Sequence, residues 1–201
     1  MKTTESPVFI SKHGQVKEVM ELMETETAIL NKILEMRKKT KCNKFVGAVA
    51  IEILKEEFVK LKLNMSNRDV FIEGVPNELD LLVAKPGRDP EKCLVYQPDD
   101  VLAVLEIRFR GSYGRDRKGR TPAEKLKTVF DSVYKANNVI QCFYVTISEN
   151  SRHKYRMTEE NLRHNCFELF TRDTDLETAL EKRILTPTGD WRKLTQTLEK
   201  L

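Results

Sequence analysis

The segment from residue 76 to residue 110 constrains this chain most, because it places single acids inside two short apolar strands. The first apolar run, residues 79–83, contains Asp80, and the second, residues 101–109, contains Glu106. Removing a carboxylate from water is costly unless it gains a partner, a metal ion or a proton. Two such strands in succession predict two carboxylates side by side in a sheet, arranged to hold a divalent cation.

Arg108 adds a positive charge to the second of these strands. Side chains alternate along a strand, so Glu106 and Arg108 should point to one face and Ile107 to the other. An acid and a base two residues apart, beside a second acid, are typical of sites that cleave phosphodiester bonds. The alternative is that Glu106 and Arg108 form an ion pair with no catalytic purpose, while Asp80 only satisfies a turn.

Length and composition predict one folded domain over residues 1–201, since 40% of the residues are hydrophobic and 33% are charged; the order of helices and strands given below makes it an α/β domain. No apolar run approaches the ~20 residues of a membrane span, so no membrane partner is expected. The first residues lack the apolar core of a signal peptide, which makes a cytoplasmic location the default. The scattered cysteines, without a close pair, indicate reduced structural residues rather than a zinc site; they are Cys42, Cys93, Cys142 and Cys166.

The positive charge of the chain is concentrated in one loop. The net charge is +4, and residues 110–120 alone hold five basic residues against one acid. A flexible cationic loop of this kind can neutralise backbone phosphates, and a tyrosine in it can stack on a base. The sequence therefore predicts a nucleic-acid-binding loop, with a solvated charged loop as the alternative; its binding residues would be Arg110, Tyr113, Arg115, Arg117, Lys118 and Arg120.

Periodicity supplies the expected order of elements. Helices are predicted at residues 15–39, interrupted near Thr25 and Thr27, and at 44–63; strands follow at 70–72, 79–83 and 101–109, the first two forming a hairpin. A capping box at Thr121-Pro122-Ala123-Glu124 starts the next helix, which leads to a strand at 139–147 parallel to its predecessor. Beyond it we predict a strand at 166–170, helices at 158–163 and 176–184, a turn at 186–190 and a last helix from Trp191.

This order, with the acids where they are, resembles the restriction-endonuclease-like PD-(D/E)xK nuclease superfamily over roughly residues 44–148. The matching elements are Gly47 to Glu52 on a helix, Asn77 to Val83 on one strand and Glu106-Ile107-Arg108 on the next. The helix element is similar to that of archaeal Holliday-junction resolvases. The resemblance implies an α-β-β-β-α-β core with a mixed sheet flanked by helices. Outside this core the sequence predicts an N-terminal helical extension at 1–40 and a strand and helices at 149–201.

The resemblance also implies a metal-dependent endonuclease that hydrolyses DNA. Asp80 and Glu106 would bind Mg²⁺ or Mn²⁺ with help from the Ile107 carbonyl, and Glu52 would complete the acidic cluster. The metal would polarise the scissile phosphate and lower the pKa of a bound water. Many nucleases of this fold act as dimers, so the sequence leaves homodimerisation open, with the first helix as a cap, a dimerisation helix or an extra layer.

The chain departs from the family at Arg108, because the third signature position is normally lysine. Arginine keeps the charge and can clamp a phosphate, but its pKa above ~12 prevents it from acting as a base. Lysines migrate in this superfamily, and Lys85, Lys125 and Lys127 are the candidate substitutes. The other interpretation is a non-catalytic nucleic-acid-binding protein on a degenerate nuclease fold.

Overall fold

A five-stranded mixed sheet forms the centre of the chain in the computed structural model, which describes residues 13–40, 42–87, 93–110, 120–148, 166–171, 178–179 and 185–201. The main helices of these residues are α1 (His13–Lys39), α2 (Asn43–Lys60), α3 (Pro122–Ala136) and α4 (Asp190–Leu198). The strands are β1 (Phe71–Ile72), β2 (Leu81–Ala84), β3 (Val95–Tyr96), β4 (Val101–Arg110), β5 (Gln141–Ser148), β6 (Cys166–Thr171) and β7 (Thr186–Pro187). The α/β class predicted from the sequence is confirmed.

The sheet has the strand order β2-β4-β5-β6-β7, with the long β4 next to one edge strand. β2 runs antiparallel to β4, while β5 and β6 continue the sheet parallel to β4, and β7 closes it antiparallel to β6. The parallel pairing of β4 with β5 confirms the expected crossover through α3. Parallel strands need such a connection, because a hairpin can only reverse the chain.

Helices cover the two faces of the sheet differently. Leu105 and Ile107 of β4 belong to the apolar core that contains the buried side chains of α1, α2 and α4. Val104, the residue before Leu105, belongs to a second core formed with α3. The alternation from Val104 onward therefore produces a three-layer arrangement, and α3 shares its face of the sheet with the side chains of Val104, Glu106 and Arg108.

The predicted capping box at the start of α3 is confirmed. The Thr121 hydroxyl accepts a hydrogen bond from the Glu124 backbone N–H at 3.2 Å, and the Glu124 carboxylate accepts one from the Thr121 backbone N–H. This exchange satisfies two donors that a helix start would otherwise leave unpaired. It fixes where the chain leaves the basic loop and begins the crossover.

The start of α4 lies near a buried acid of α1. Its N-cap residue, Gly189, has a left-handed φ of 78° and no side chain to accept a hydrogen bond. Instead, Glu26 of α1 lies near this helix start: burial raises the pKa of its carboxyl group, and the backbone N–H groups of Trp191 and Gly189 oppose the rise. The described part of α1 packs inward through Ile29 and Ile33, so it acts as an extra layer of the core.

Several expected elements differ in detail. α1 is continuous through Thr25 and Thr27, and α2 ends at Lys60 rather than near residue 63. The turn expected at 186–190 begins as strand β7. The expected 158–163 helix and most of the 176–184 helix lie outside the described residues.

The expected hairpin between residues 70–72 and 79–83 is reduced to one pair. Val70 and Leu79 exchange two backbone hydrogen bonds at 3.0 and 2.9 Å, but β1 pairs in parallel with β3 instead of joining the main sheet.

The described cysteines are all free thiols, and the described helices include none with the length and apolarity that a bilayer crossing demands.

Candidate functional site

The register of the sheet brings the two acids of the opening segment together. Leu81 pairs with Leu105 across β2 and β4, so the next residues outward, Asp80 and Glu106, are neighbours on one face. On the other side of β4, Glu106 pairs with Tyr144 of β5. A row of polar side chains therefore crosses the sheet where β2 begins.

Arg108 binds the oxygen atoms that were predicted to hold a metal. Its Nη1 donates to Asp80 Oδ2 at 3.0 Å and to the Ile107 carbonyl oxygen at 3.2 Å. Its Nη2 donates to Glu106 Oε2 at 2.9 Å. The Ile107 backbone N–H also donates to Asp80 Oδ2, at 2.7 Å. One guanidinium thus contacts all three residues of the predicted ligand set.

The three charged side chains differ strongly in exposure. Glu106 is 3% exposed and Asp80 17%, whereas half of the Arg108 side chain is open to solvent. The carboxylates therefore form the floor of the site and the guanidinium lies over them. A half-exposed arginine can change rotamer without moving the sheet, while the acids are fixed by the packed strands.

Burial controls the protonation of this group. It raises the pKa of Glu106 to about 8, and the negative charge of Asp80 adds to the rise in spite of Arg108. Burial likewise raises the pKa of Asp80, against the opposing charge of Arg108 and the Ile107 N–H. Burial lowers the pKa of Arg108, but the charges of Asp80 and Glu106 outweigh burial, so the pKa is raised overall. The acids resist ionisation, as neighbouring buried carboxylates do.

One oxygen of this site lacks a partner in the described part of the chain. Glu106 Oε1 is fully buried and accepts no hydrogen bond there. An unpaired buried acceptor costs free energy unless a cation or a proton satisfies it. The donor set of two carboxylates and a backbone carbonyl consists of hard oxygens, which suit Mg²⁺ or Mn²⁺. Within the described residues no three His, Cys, Asp or Glu side chains cluster as metal ligands, so the fit rests on two acids.

Glu52, predicted as a third acid, is not brought to this group. It is exposed on α2, whose buried residues pack in the core on the Leu105 and Ile107 face of β4. No hydrogen bond or ion pair between described residues joins Glu52 to Asp80, Glu106 or Arg108. Glu57, further along α2, is buried and forms an ion pair with Lys60 at 2.7 Å.

Of the candidate substitute lysines, Lys85 directly follows β2, and Lys125 and Lys127 lie on α3. Lys127 forms an ion pair with Asp131 at 2.6 Å, one turn along α3. Lys85 is exposed just after β2, and its backbone N–H donates to the Asp100 carbonyl. Lys125 is half-buried on α3. Neither Lys85 nor Lys127 bonds to the Asp80 and Glu106 carboxylates in the part of the chain described.

Most of the predicted DNA-binding loop lies outside the described residues, including Tyr113, Arg115, Arg117 and Lys118. The described ends locate it, however. Arg110 is the last residue of β4, and its backbone pairs with β5, whereas Arg120 lies half-buried just before α3. The loop therefore leaves the sheet two residues beyond Arg108.

Two residues near the acids were missed by sequence reasoning. Tyr144 is buried beside Glu106; burial raises the pKa of its hydroxyl, and the Arg108 charge opposes the rise. The antiparallel pairing of Val70 with Leu79 places Asp69 opposite Asp80. The negative charge of Asp69 contributes to the raised pKa of Asp80. Only the pairing of strands reveals either neighbour, so the sequence carried no separate signal for them.

Comparison with known proteins adds no assignment. No protein-family model matches the chain, and no curated protein matches its sequence.

Proposed function

We propose that this protein is a metal-dependent endonuclease that hydrolyses DNA phosphodiester bonds. The observation that carries the proposal is the pair of adjacent carboxylates, Asp80 and Glu106, with a buried Glu106 oxygen that no described group satisfies. Both features raise the free energy of the fold, and among the described residues the only other buried side-chain oxygen without a partner is Glu26 Oε1. Functional sites commonly retain such strain.

The proposed architecture is the restriction-endonuclease-like core. It is supported by the order α2, β2, β4, α3 and β5, with β2 antiparallel and β5 parallel to β4. It is also supported by the position of the acids at the start of β2 and within β4. The separate pairing of β1 with β3 is a local departure from the predicted hairpin.

Asp80, Glu106 and the Ile107 carbonyl would hold the cation. When bound, Mg²⁺ supplies Lewis-acid polarisation of the phosphate and stabilises the leaving oxygen. The two acids lie on paired strands, so their positions need no reorganisation during the reaction. Arg108 can donate two parallel hydrogen bonds to a phosphate and stabilise its developing negative charge. It does not remove a proton from the attacking water, because it stays protonated.

Cleavage of plasmid and branched DNA in Mg²⁺ tests the proposal. Asp80→Ala and Glu106→Ala should each lower the rate by at least about a hundredfold, in line with the loss of a group that stabilises charge in the transition state. Glu73→Ala is the matched control, because Glu73 is an exposed acid at the end of β1. Cleavage that survives both site substitutions would assign the activity to another site or to a contaminant.

A second function, DNA binding without cleavage, is favoured by one observation. Arg108 already satisfies an oxygen of Asp80, Glu106 and Ile107, so a permanently closed site would bind no metal. Both functions require DNA binding, and binding to labelled DNA at increasing salt measures how much the loop contributes to it. Alanine at Arg110, Arg115, Arg117, Lys118 and Arg120 should flatten the salt dependence, because fewer counterions are released. An unchanged slope would remove the loop from the interface.

A further inference from the structure

We infer that Arg108 closes the cation site of the free protein and that DNA opens it, so that metal and DNA bind cooperatively. This inference rests on the proposed function and concerns its regulation. It starts from the contacts at 3.0, 2.9 and 3.2 Å that join one guanidinium to Asp80, Glu106 and the Ile107 carbonyl. A cation that used those oxygens would compete with the guanidinium for their lone pairs and would be repelled by its charge.

The side chains differ in their freedom to move, and this decides which one yields. Glu106 is 3% exposed and Asp80 17%, and both are held by paired strands, whereas the Arg108 side chain is half exposed. Opening the site therefore requires only a rotamer change of Arg108. The cost is that of separating one guanidinium from the Asp80 and Glu106 oxygens, which lose this donor until a cation replaces it.

A phosphodiester is the ligand chemistry that lowers this cost. A phosphate presents oxygens that accept bidentate hydrogen bonds from a guanidinium, as a carboxylate does. The basic loop starts two residues beyond Arg108 and would bring a DNA backbone to this edge of the sheet. Transfer of Arg108 from the acids to the phosphate then leaves the carboxylates available to a cation. By linkage, the cation must in turn strengthen DNA binding by the same factor.

Mn²⁺ binding measured by calorimetry or by electron paramagnetic resonance tests the inference without any cleavage readout. Arg108→Met keeps much of the side-chain length and removes the charge, and it should bind Mn²⁺ on the order of tenfold more tightly than the wild type. Lys60→Met is the matched control, because Lys60 also bridges a buried acid, Glu57, at 2.7 Å. The control should bind Mn²⁺ as the wild type does.

The second arm adds a short DNA duplex with phosphorothioate linkages, which resist cleavage. In the wild type this duplex should tighten Mn²⁺ binding by a larger factor than in Arg108→Met, since only the wild type has a guanidinium to withdraw. Equal enhancement in both proteins would overturn the coupling. Equal or weaker Mn²⁺ binding by Arg108→Met would overturn closure by Arg108.

Failure of the inference can be told from failure of the proposed function. If Arg108→Met binds Mn²⁺ no tighter than wild type while Glu106→Gln abolishes binding, the cation site stands and closure is wrong. If neither the wild type nor Arg108→Met binds Mn²⁺, with or without the duplex, both the inference and the endonuclease are overturned. Circular dichroism of each variant verifies that it is folded.

Discussion

Replacing Glu106 with glutamine should stabilise the metal-free protein at alkaline pH. Burial, and then the charge of Asp80, raise the pKa of Glu106 from 4.5 to about 8. In the unfolded chain the carboxyl ionises near its ordinary value, so between these two values the folded state holds a proton that the unfolded state releases. The contribution of Glu106 to stability is therefore fully present below pH 4.5 and is lost as the pH rises to about 8.

The size of the effect follows from the same two values. A pKa that rises from 4.5 to about 8 corresponds to an upper bound of about 5 kcal/mol, reached on the alkaline side of the window. Glutamine matches the shape of the protonated acid and keeps an oxygen for Arg108 without titrating. Wild type and variant should thus have similar stability in acid, and the variant should gain over the wild type as the pH rises.

Urea unfolding in EDTA, from mildly acidic to mildly alkaline pH, provides the measurement. Trp191 is the single tryptophan and is buried against Phe58, so its fluorescence reports unfolding. Glu73→Gln, at an exposed acid, should show a small difference from wild type that does not widen with pH. If the wild type instead gains stability over Glu106→Gln as pH rises, Arg108 holds Glu106 ionised and the burial argument is wrong.

Three further substitutions test how the layers are held, each by the change in unfolding free energy in urea. Ser66→Ala should cost about 1–3 kcal/mol, because the buried hydroxyl accepts from the Leu82 N–H at 2.8 Å and its loss strands that donor; a neutral result would show that another group satisfies Leu82. Thr121→Ala should cost about 1 kcal/mol by removing the cap of α3, and Thr121→Ser, which keeps the hydroxyl, should recover most of it. Phe58→Ala should cost about 3–5 kcal/mol, because the ring is fully buried and stacks on Trp191 at a centroid distance of 5.3 Å; a loss below about 1 kcal/mol would mean that the neighbouring helices close the cavity.

The elements that were predicted well are those whose signals are local. The capping box at Thr121, the helical spacing of α3 and the apolar run of β4 depend on residues close in sequence, and each was found where predicted. The ion pair of Glu106 with Arg108 is equally local, because strand alternation alone places two residues on one face. The neighbouring position of Asp80 also agreed, since acids at matching heights of consecutive strands meet in a sheet.

The features that were missed depend on pairings between distant segments. Glu52 was joined to the acids by its place in a motif, whereas α2 packs on the face of the sheet with Ile107 and leaves Glu52 exposed. Tyr144 became a neighbour of Glu106 only through the register of β4 with β5. β1 and β3 pair in parallel although a long connection separates them in sequence. Each strand has only two residues, which is too short for a periodic pattern to predict the pairing.

The reach of Glu26 from α1 to the start of α4 has a consequence for the order of folding. A ribosome completes α1 long before it makes α4, so Glu26 lacks its neighbours Gly189 and Trp191 during most of synthesis. Contacts between segments so far apart in the chain raise the contact order and slow folding. We therefore expect the helical layer formed by α1, α2 and α4 to close only after synthesis has passed α4, with α1 exposed to chaperones until then.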